Sequence, residues 1–220
     1  MFNRGRISGG IDLDFVVHTP QFDSASKTVY NFGTLPIGDA HPERIVVVEV
    51  AVETGTFVVL GATVTIGGVS ANVIGTGRNF LTSQIFWLKV PTGATANITV
   101  TCSNAARQCG IQHYSFNTPA TAVLDSGQNF NGTGTTTVDN LECSVGGVVF
   151  IASVRRNATT GSIAWNGIDS DIEEVNDISS SVRRIFGYVL TTEASISRDA
   201  TSTISGSGGH VLAAASFEGP

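Results

Sequence analysis

Lysine is nearly missing from this sequence: Lys27 and Lys89 are the two in 220 residues. Charged residues make up 14 %, against roughly 25 % in an ordinary soluble domain. The balance is acidic, with a net charge of −6. No basic stripe is present to neutralise phosphates, which excludes a general nucleic-acid binder. Long apolar runs are missing too. Stretches such as Ile45 to Val48 are a fraction of the roughly 20 residues a membrane-crossing helix needs. No apolar signal-peptide core follows Met1–Arg6, because Asp12 and Asp14 interrupt it. This predicts synthesis and folding in a reducing cytoplasm. Helical periodicity is also scarce. The one stretch that suits a helix, Ile168–Ser179, is rich in Asp and Ser and reads as a loop.

What is present is period two. Ala96, Ile98, Val100 and Cys102 share one strand face, with Asn97, Thr99 and Thr101 on the other. Val46, Val48, Val50 and Val52 line one face of a second strand. Its other face, Ile45, Val47, Glu49, Ala51 and Glu53, is mixed and reaches solvent or a partner. Further strands are expected at Ile11–His18, Ser26–Phe32, Ala62–Ile66, Ala71–Gly75, Phe80–Val90, Gln108–Phe116, Thr135–Cys143, Val148–Arg155, Ser162–Trp165, Val182–Thr191 and Gly209–Phe217. Gly67-Gly68 separates two β-branched runs as a tight hairpin turn. Asn129–Gly134 reads as a low-complexity loop, and no repeat of fixed period is visible. The expected fold is all-β: one antiparallel two-sheet sandwich, jelly-roll-like, over residues 25–220, behind an N-terminal extended arm, 1–24. Val46, Val48, Val50, Ile66, Ile98, Val100, Phe150 and Phe217 are the expected core.

Tests for chemistry return little. There is no nucleophile elbow, P-loop or H-E-x-x-H, so no catalytic, cofactor-binding or metal residue is assigned. Cys102, Cys109, His113 and Cys143 lack knuckle spacing for zinc, and Cys102, Cys109 and His113 read as core groups. Cys102 and Cys109 flank a hairpin loop, so a cross-strand disulfide is the alternative to free thiols there. Cys143 ends a strand and is expected to be the exposed thiol, open to an interchain bridge. The acidic run Asp169–Asp177 does not fit a calcium loop; it reads as solvated or as pairing with Arg155-Arg156 or Arg183-Arg184. Trp87, Trp165, Tyr114 and Tyr188 read as buried rather than as a sugar platform. In the arm, Ile11, Leu13, Phe15 and Val17 suit addition of an extended strand to a neighbour, and Arg4 and Arg6 suit its acidic surface. The competing reading makes Ile11–His18 the first strand of the chain's own sheet.

A resemblance adds to this. Arg44-Ile45-Val46-Val47-Val48, Val64–Ala71, Val90–Val100, Arg107–Ile111, Ser162–Gly167 and Ala213–Phe217 resemble small β-sandwich virion-associated proteins of tailed phages and prophages of alphaproteobacteria. The likeness spans roughly residues 41 to 217 and rests on strand-and-turn patterns. It implies a non-enzymatic virion protein in many copies, as capsid decoration or as tail or fibre component. The implied partners are other virion proteins and further copies of the chain, with no cofactor, nucleic acid or membrane. A glycan- or receptor-binding module that meets a host surface glycan is the alternative.

Overall fold

The computed structural model describes residues 4–5, 14–54, 61–74, 81–119, 123–131, 134–156, 158–166, 173–179, 182–191, 195–206 and 208–219. For 4–5, 158–166, 173–179, 183 and 195–197 it describes the backbone alone. Arg6, Ile11 and Leu13 lie outside the described residues.

The first half of the chain forms two antiparallel sheets. Sheet I runs β1 (Arg4–Gly5), β2 (Phe15–Val17), β11 (Gln108–Asn117), β5 (Arg44–Glu53), β9 (Leu81–Lys89), β8 (Asn72–Ile74), with β3 (Gln21–Asp23) also on β11. Sheet II runs β4 (Lys27–Pro36), β10 (Thr95–Ala106), β6 (Ala62–Ile66), β7 (Val69–Ser70). The second half forms two more. Sheet III runs β12 (Val123–Asn131), β19 (His210–Phe217), β14 (Val148–Arg156), β17 (Val182–Leu190), β16 (Glu173–Ser179). Sheet IV runs β13 (Thr135–Cys143), β18 (Ser195–Gly206), β15 (Ala158–Asn166). None of the four closes on itself.

The sheets stack in the order II, I, III, IV. Val46, Val48, Val50 and Ile111 of sheet I pack on Val64, Ile66, Ile98 and Val100 of sheet II. The opposite face of sheet I, with Phe15, Val47, Ile85 and Phe116, packs on Phe150, Phe186, Val211 and Phe217 of sheet III. Ile151, Ile185 and Leu212, on the far face of sheet III, pack on Val138, Leu141 and Ile204 of sheet IV. The single two-sheet sandwich is therefore replaced by four sheets around three apolar layers.

The two inner sheets are covered on both faces, which explains their sequences. All ten residues of β5 are buried, and a near-continuous β-branched run suits a strand with no wet face. The mixed face of β5 meets sheet III, not solvent. Its carboxylates are accommodated by specific donors. Tyr114 Oη donates to Glu49 Oε2 at 2.9 Å and Gln108 Nε2 to Glu53 Oε2 at 2.6 Å. Arg156 Nε, from sheet III, lies 3.3 Å from Glu53 Oε1. All eight expected core residues are buried.

The halves repeat one another. Counting strands from β3 in the first half, with the two-residue β7 set aside, and from β12 in the second, one sheet of each runs first–eighth–third–sixth: β3–β11–β5–β9 and β12–β19–β14–β17. The other runs second–seventh–fourth: β4–β10–β6 and β13–β18–β15. β8 flanks β9 as β16 flanks β17. The repeat lies in topology and not in residue identity, so a search for a fixed sequence period misses it.

Among the strands of seven or more residues, three depart from expectation. β12 includes part of the low-complexity stretch, β16 takes the last residues of the acidic run, and β18 was not anticipated. The Gly67-Gly68 hairpin is as expected. It joins Ile66 to Val69, with φ of +60° and +83° that favour glycine at both positions.

Candidate functional site

Phe15 is not on a free arm. β2 pairs with β11, Val17 opposite Tyr114, and the Phe15 ring is 1 % exposed. It lies 4.5 Å from the Tyr188 ring of sheet III and 5.8 Å from Tyr114, centroid to centroid. Val17 is partly buried against the same layer. Arg4 stands opposite Val16 in the β1–β2 register. The reading of this segment as a strand of the chain's own sheet describes Phe15–Val17.

Cys143 is likewise corrected. It is buried between sheets III and IV, next to Leu141 and Val149. Cys102 and Cys109 sit in the other sandwich, between sheets I and II. All three are free thiols. Two sheets, I and III, separate Cys143 from the other pair, so the cysteines and His113 are not brought together as ligands. Among the described residues, no group of three or more His, Cys, Asp or Glu side chains is placed to hold a metal ion. Asp169–Ile172 lie outside the described residues, and Glu173–Ser179 form the edge of sheet III. Arg155 donates to the Ile204 carbonyl and Arg184 to that of Ala51; the side chains of the acidic run, and with them its expected pairing with arginine, lie outside the described residues. Tyr114 and Tyr188 are core rings and Trp87 is half-buried. Trp165 belongs to a strand described by its backbone alone.

Two Ser–His pairs occur among the described residues, and neither was visible in the sequence. Ser153 Oγ lies 2.8 Å from His210 Nε2 and 2.8 Å from Ser202 Oγ. This cluster is closed between sheets III and IV, each of the three at 0 % exposure. Burial, with the Arg155 charge nearby, pushes the His210 pKa down to about 4, which makes it a weak base. The second pair borders an open cleft at the end of the sheet I–II sandwich. There His18 Nε2 lies 3.3 Å from Ser115 Oγ.

That cleft encloses about 360 Å³. Asp14, His18, Asp39 and Thr95 supply its polar wall, Val16 and Pro36 part of its apolar one. Asp14 has φ of +43° and leads into β2. Gln112 Nε2 donates to the His18 carbonyl at 2.5 Å. His113 Nε2 is 2.9 Å from the Pro36 carbonyl. Gly38, at φ +80°, leaves room for Ser115: a Cβ there would stand 2.8 Å from Ser115 Oγ.

Arg44 fixes the rim. It is 1 % exposed and uses all five guanidinium donors on carbonyls. Nη1 reaches Gly38 and Asp39 at 2.8 and 2.7 Å; Nη2 reaches Thr92 and Gly93 at 2.8 and 2.7 Å; Nε reaches Val90 at 2.8 Å. Burial lowers its pKa, yet a guanidinium stays charged. One side chain thus ties the loop after β4 to the loop before β10. The wall it supports carries carboxylates, a hydroxyl and an imidazole, and the described residues that line it include no Lys or Arg. Such a wall accepts hydrogen bonds from hydroxyl-rich or cationic groups.

No family model and no curated protein matches the chain. Among solved structures, the chain has a distant similarity to a conserved protein of unknown function from Pseudomonas aeruginosa PAO1. The TM-score is 0.33 at 9 % identity, over 95 % of this chain and 84 % of that one. It has a distant similarity also to the PBSX exported protein XepA, with a TM-score of 0.27 at 10 % identity, over 92 % of this chain and 86 % of that one.

Proposed function

We propose that this chain is a non-enzymatic structural protein of a bacteriophage virion, made in the host cytoplasm and present in many copies as capsid decoration or as tail or fibre component. One observation carries the reading. The four-sheet stack encloses its thiols and its Ser153–His210–Ser202 cluster, and turns uncharged hydroxyl arrays outward at both ends. On sheet II, Thr63 and Thr65 face Thr101 and Thr99 across the register. On sheet IV, Thr135 and Thr137 face Thr203 and Thr201, hydroxyl to hydroxyl at 3.2 and 3.0 Å. Such faces suit close packing among neighbours without charge repulsion. The resemblance of the strand-and-turn motifs to virion-associated proteins supports the same reading. The strand order of each half suits a jelly roll, eight strands in two interleaved sheets, and we read the chain as two such units in tandem. Epitope-tagging the chain in its phage and purifying particles on a density gradient tests the proposal. Banding with the virion in multiple copies is expected. Recovery only from the particle-free supernatant overturns it.

The cleft favours a second reading, a glycan- or receptor-binding module. Asp14, Asp39 and Thr95 offer the acceptors that sugar hydroxyls need. A glycan array run with the wild type and with Asp39→Asn separates the two readings: binding lost in the variant supports the module, and no binding by either leaves the structural role.

A further inference from the structure

An open sheet leaves a row of unpaired N–H and C=O groups along each edge, and folded proteins blunt such edges with charge, proline, bulges or short length. Nearly every edge here is blunted. In sheet I, β1 has two residues, and β3 and β8 have three each. In sheet II, β7 has two, and β4 carries Lys27, Pro36, a positive φ at Gly33 and register shifts. In sheet III, β12 carries Asp125 beside a register shift, and β16 carries Glu173, Glu174 and Asp177. In sheet IV, β13 carries Asp139 and Glu142, two register shifts and a positive φ at Asn140.

β15 is different. Its nine residues, Ala158–Asn166, hold no charge and no proline. Its register with β18 runs unbroken from Thr160–Ser205 to Asn166–Asp199. Among the described strands it is the one long edge without a blunting device beyond its first residue pair. We propose that β15 is the edge through which two copies of this chain join, antiparallel, sheet IV to sheet IV. The product is a six-stranded sheet with β15 of both copies at its centre.

A second copy is the occupant that the charges favour. Each chain carries −6, so two copies repel wherever acidic edges such as β16 approach. At β15 the meeting strands are neutral. The same strand related by a two-fold axis is self-complementary, so each copy supplies the donors and acceptors that the other lacks. The threonine rows beside it, Thr135–Thr203 and Thr137–Thr201, then continue across the join as one uncharged face. The proposal does not depend on the virion reading.

Light scattering on the purified full-length chain tests it, with twice the 22.9 kDa chain mass expected. Ser162→Lys and Ala164→Lys each place like charges close together across the two-fold axis, which is unfavourable. Both variants are expected to run as monomers with an unchanged far-UV spectrum. Ser162→Glu is expected to be monomeric alone and to restore dimers when mixed with Ser162→Lys. Ser126→Lys, on the β12 edge, is expected to leave the dimer intact. Hydrogen exchange on the wild type gives a readout free of mutation: amides of 158–166 gain protection as protein concentration rises. A wild type that stays monomeric at its highest soluble concentration overturns the proposal. So does a dimer in which exchange over 158–166 is independent of concentration.

Discussion

His18 and His113 stack ring on ring, their centroids 4.4 Å apart and their planes 7° from parallel. Two imidazoles so placed cannot both be cationic without direct repulsion. Burial lowers the His18 pKa to about 3, with the neighbouring His113 adding to the effect. Burial lowers His113 to about 4, against the Pro36 carbonyl that raises it. The pair is therefore neutral in the fold at physiological pH, and His18 lines the cleft.

The linkage has a definite sign. His18, His113 and His210 have folded pKa values below the unfolded value of about 6.5. The unfolded chain thus binds more protons in the window between, and stability falls as pH drops from about 6.5 toward 4. Each histidine costs about 1.4 kcal/mol per pH unit there. Glu49 opposes this, because burial raises its carboxyl well above the ordinary range; one such group does not offset three histidines. The melting temperature is expected to be clearly lower at pH 5 than at pH 7, and the drop smaller in His113→Gln. Equal melting temperatures at the two pH values would contradict the neutral pair.

Arg44→Lys is expected to be a costly substitution although it keeps the charge. An ammonium has three donors and no planar fork, so carbonyls among Gly38, Asp39, Val90, Thr92 and Gly93 lose their partner. Each buried group left unsatisfied costs about 1–3 kcal/mol. Thermal denaturation of the variant checks the loss. Faster amide exchange in 36–39 and 90–94, with β5 unchanged, would locate it at the cleft rim.

The thiols are expected to be inert in the folded chain. Burial raises Cys102 and Cys143 to about 11 and Cys109 well above its usual value, and the thiolate is the reactive form. A thiol reagent at pH 8 should label none of them before unfolding and three afterwards. Rapid labelling of Cys143 in the native chain would show that sheet IV does not close over it.

Strand identity was legible where one face is buried and the other wet. The alternation in Ala96–Cys102 places β10 correctly, because sheet II has a core face and a hydroxyl face. The layering was not legible. Glu49 and Glu53 made the second face of β5 read as exposed, because a sequence does not show that Tyr114, Gln108 and Arg156 converge on them from remote positions. β16 and β18 were missed because outer and edge strands tolerate Glu, Asp and Ser, residues with weak strand propensity. The cleft was invisible for the same reason as the Ser–His pairs. Asp14, His18, Asp39 and Thr95 come from separate turns and strand ends, and no spacing rule links them.

Phe15 distinguishes an internal strand from a docking arm. Its ring sits among Tyr114, Phe116, Phe150 and Tyr188, joining sheet I to sheet III. Removing it leaves a cavity between the two halves of the chain, and Phe→Ala in a core costs about 3–5 kcal/mol. Phe15→Ala should therefore lower the melting temperature of the isolated chain, with both sandwiches still formed by far-UV circular dichroism. Deleting residues 1–24 removes the same ring along with the β2 pairing to β11, so the truncated chain should be less stable still, or aggregate. A detachable arm makes the opposite forecast: both changes leave the melting temperature untouched and alter only association with neighbours. An unchanged melting temperature in Phe15→Ala would return this segment to the role of an arm.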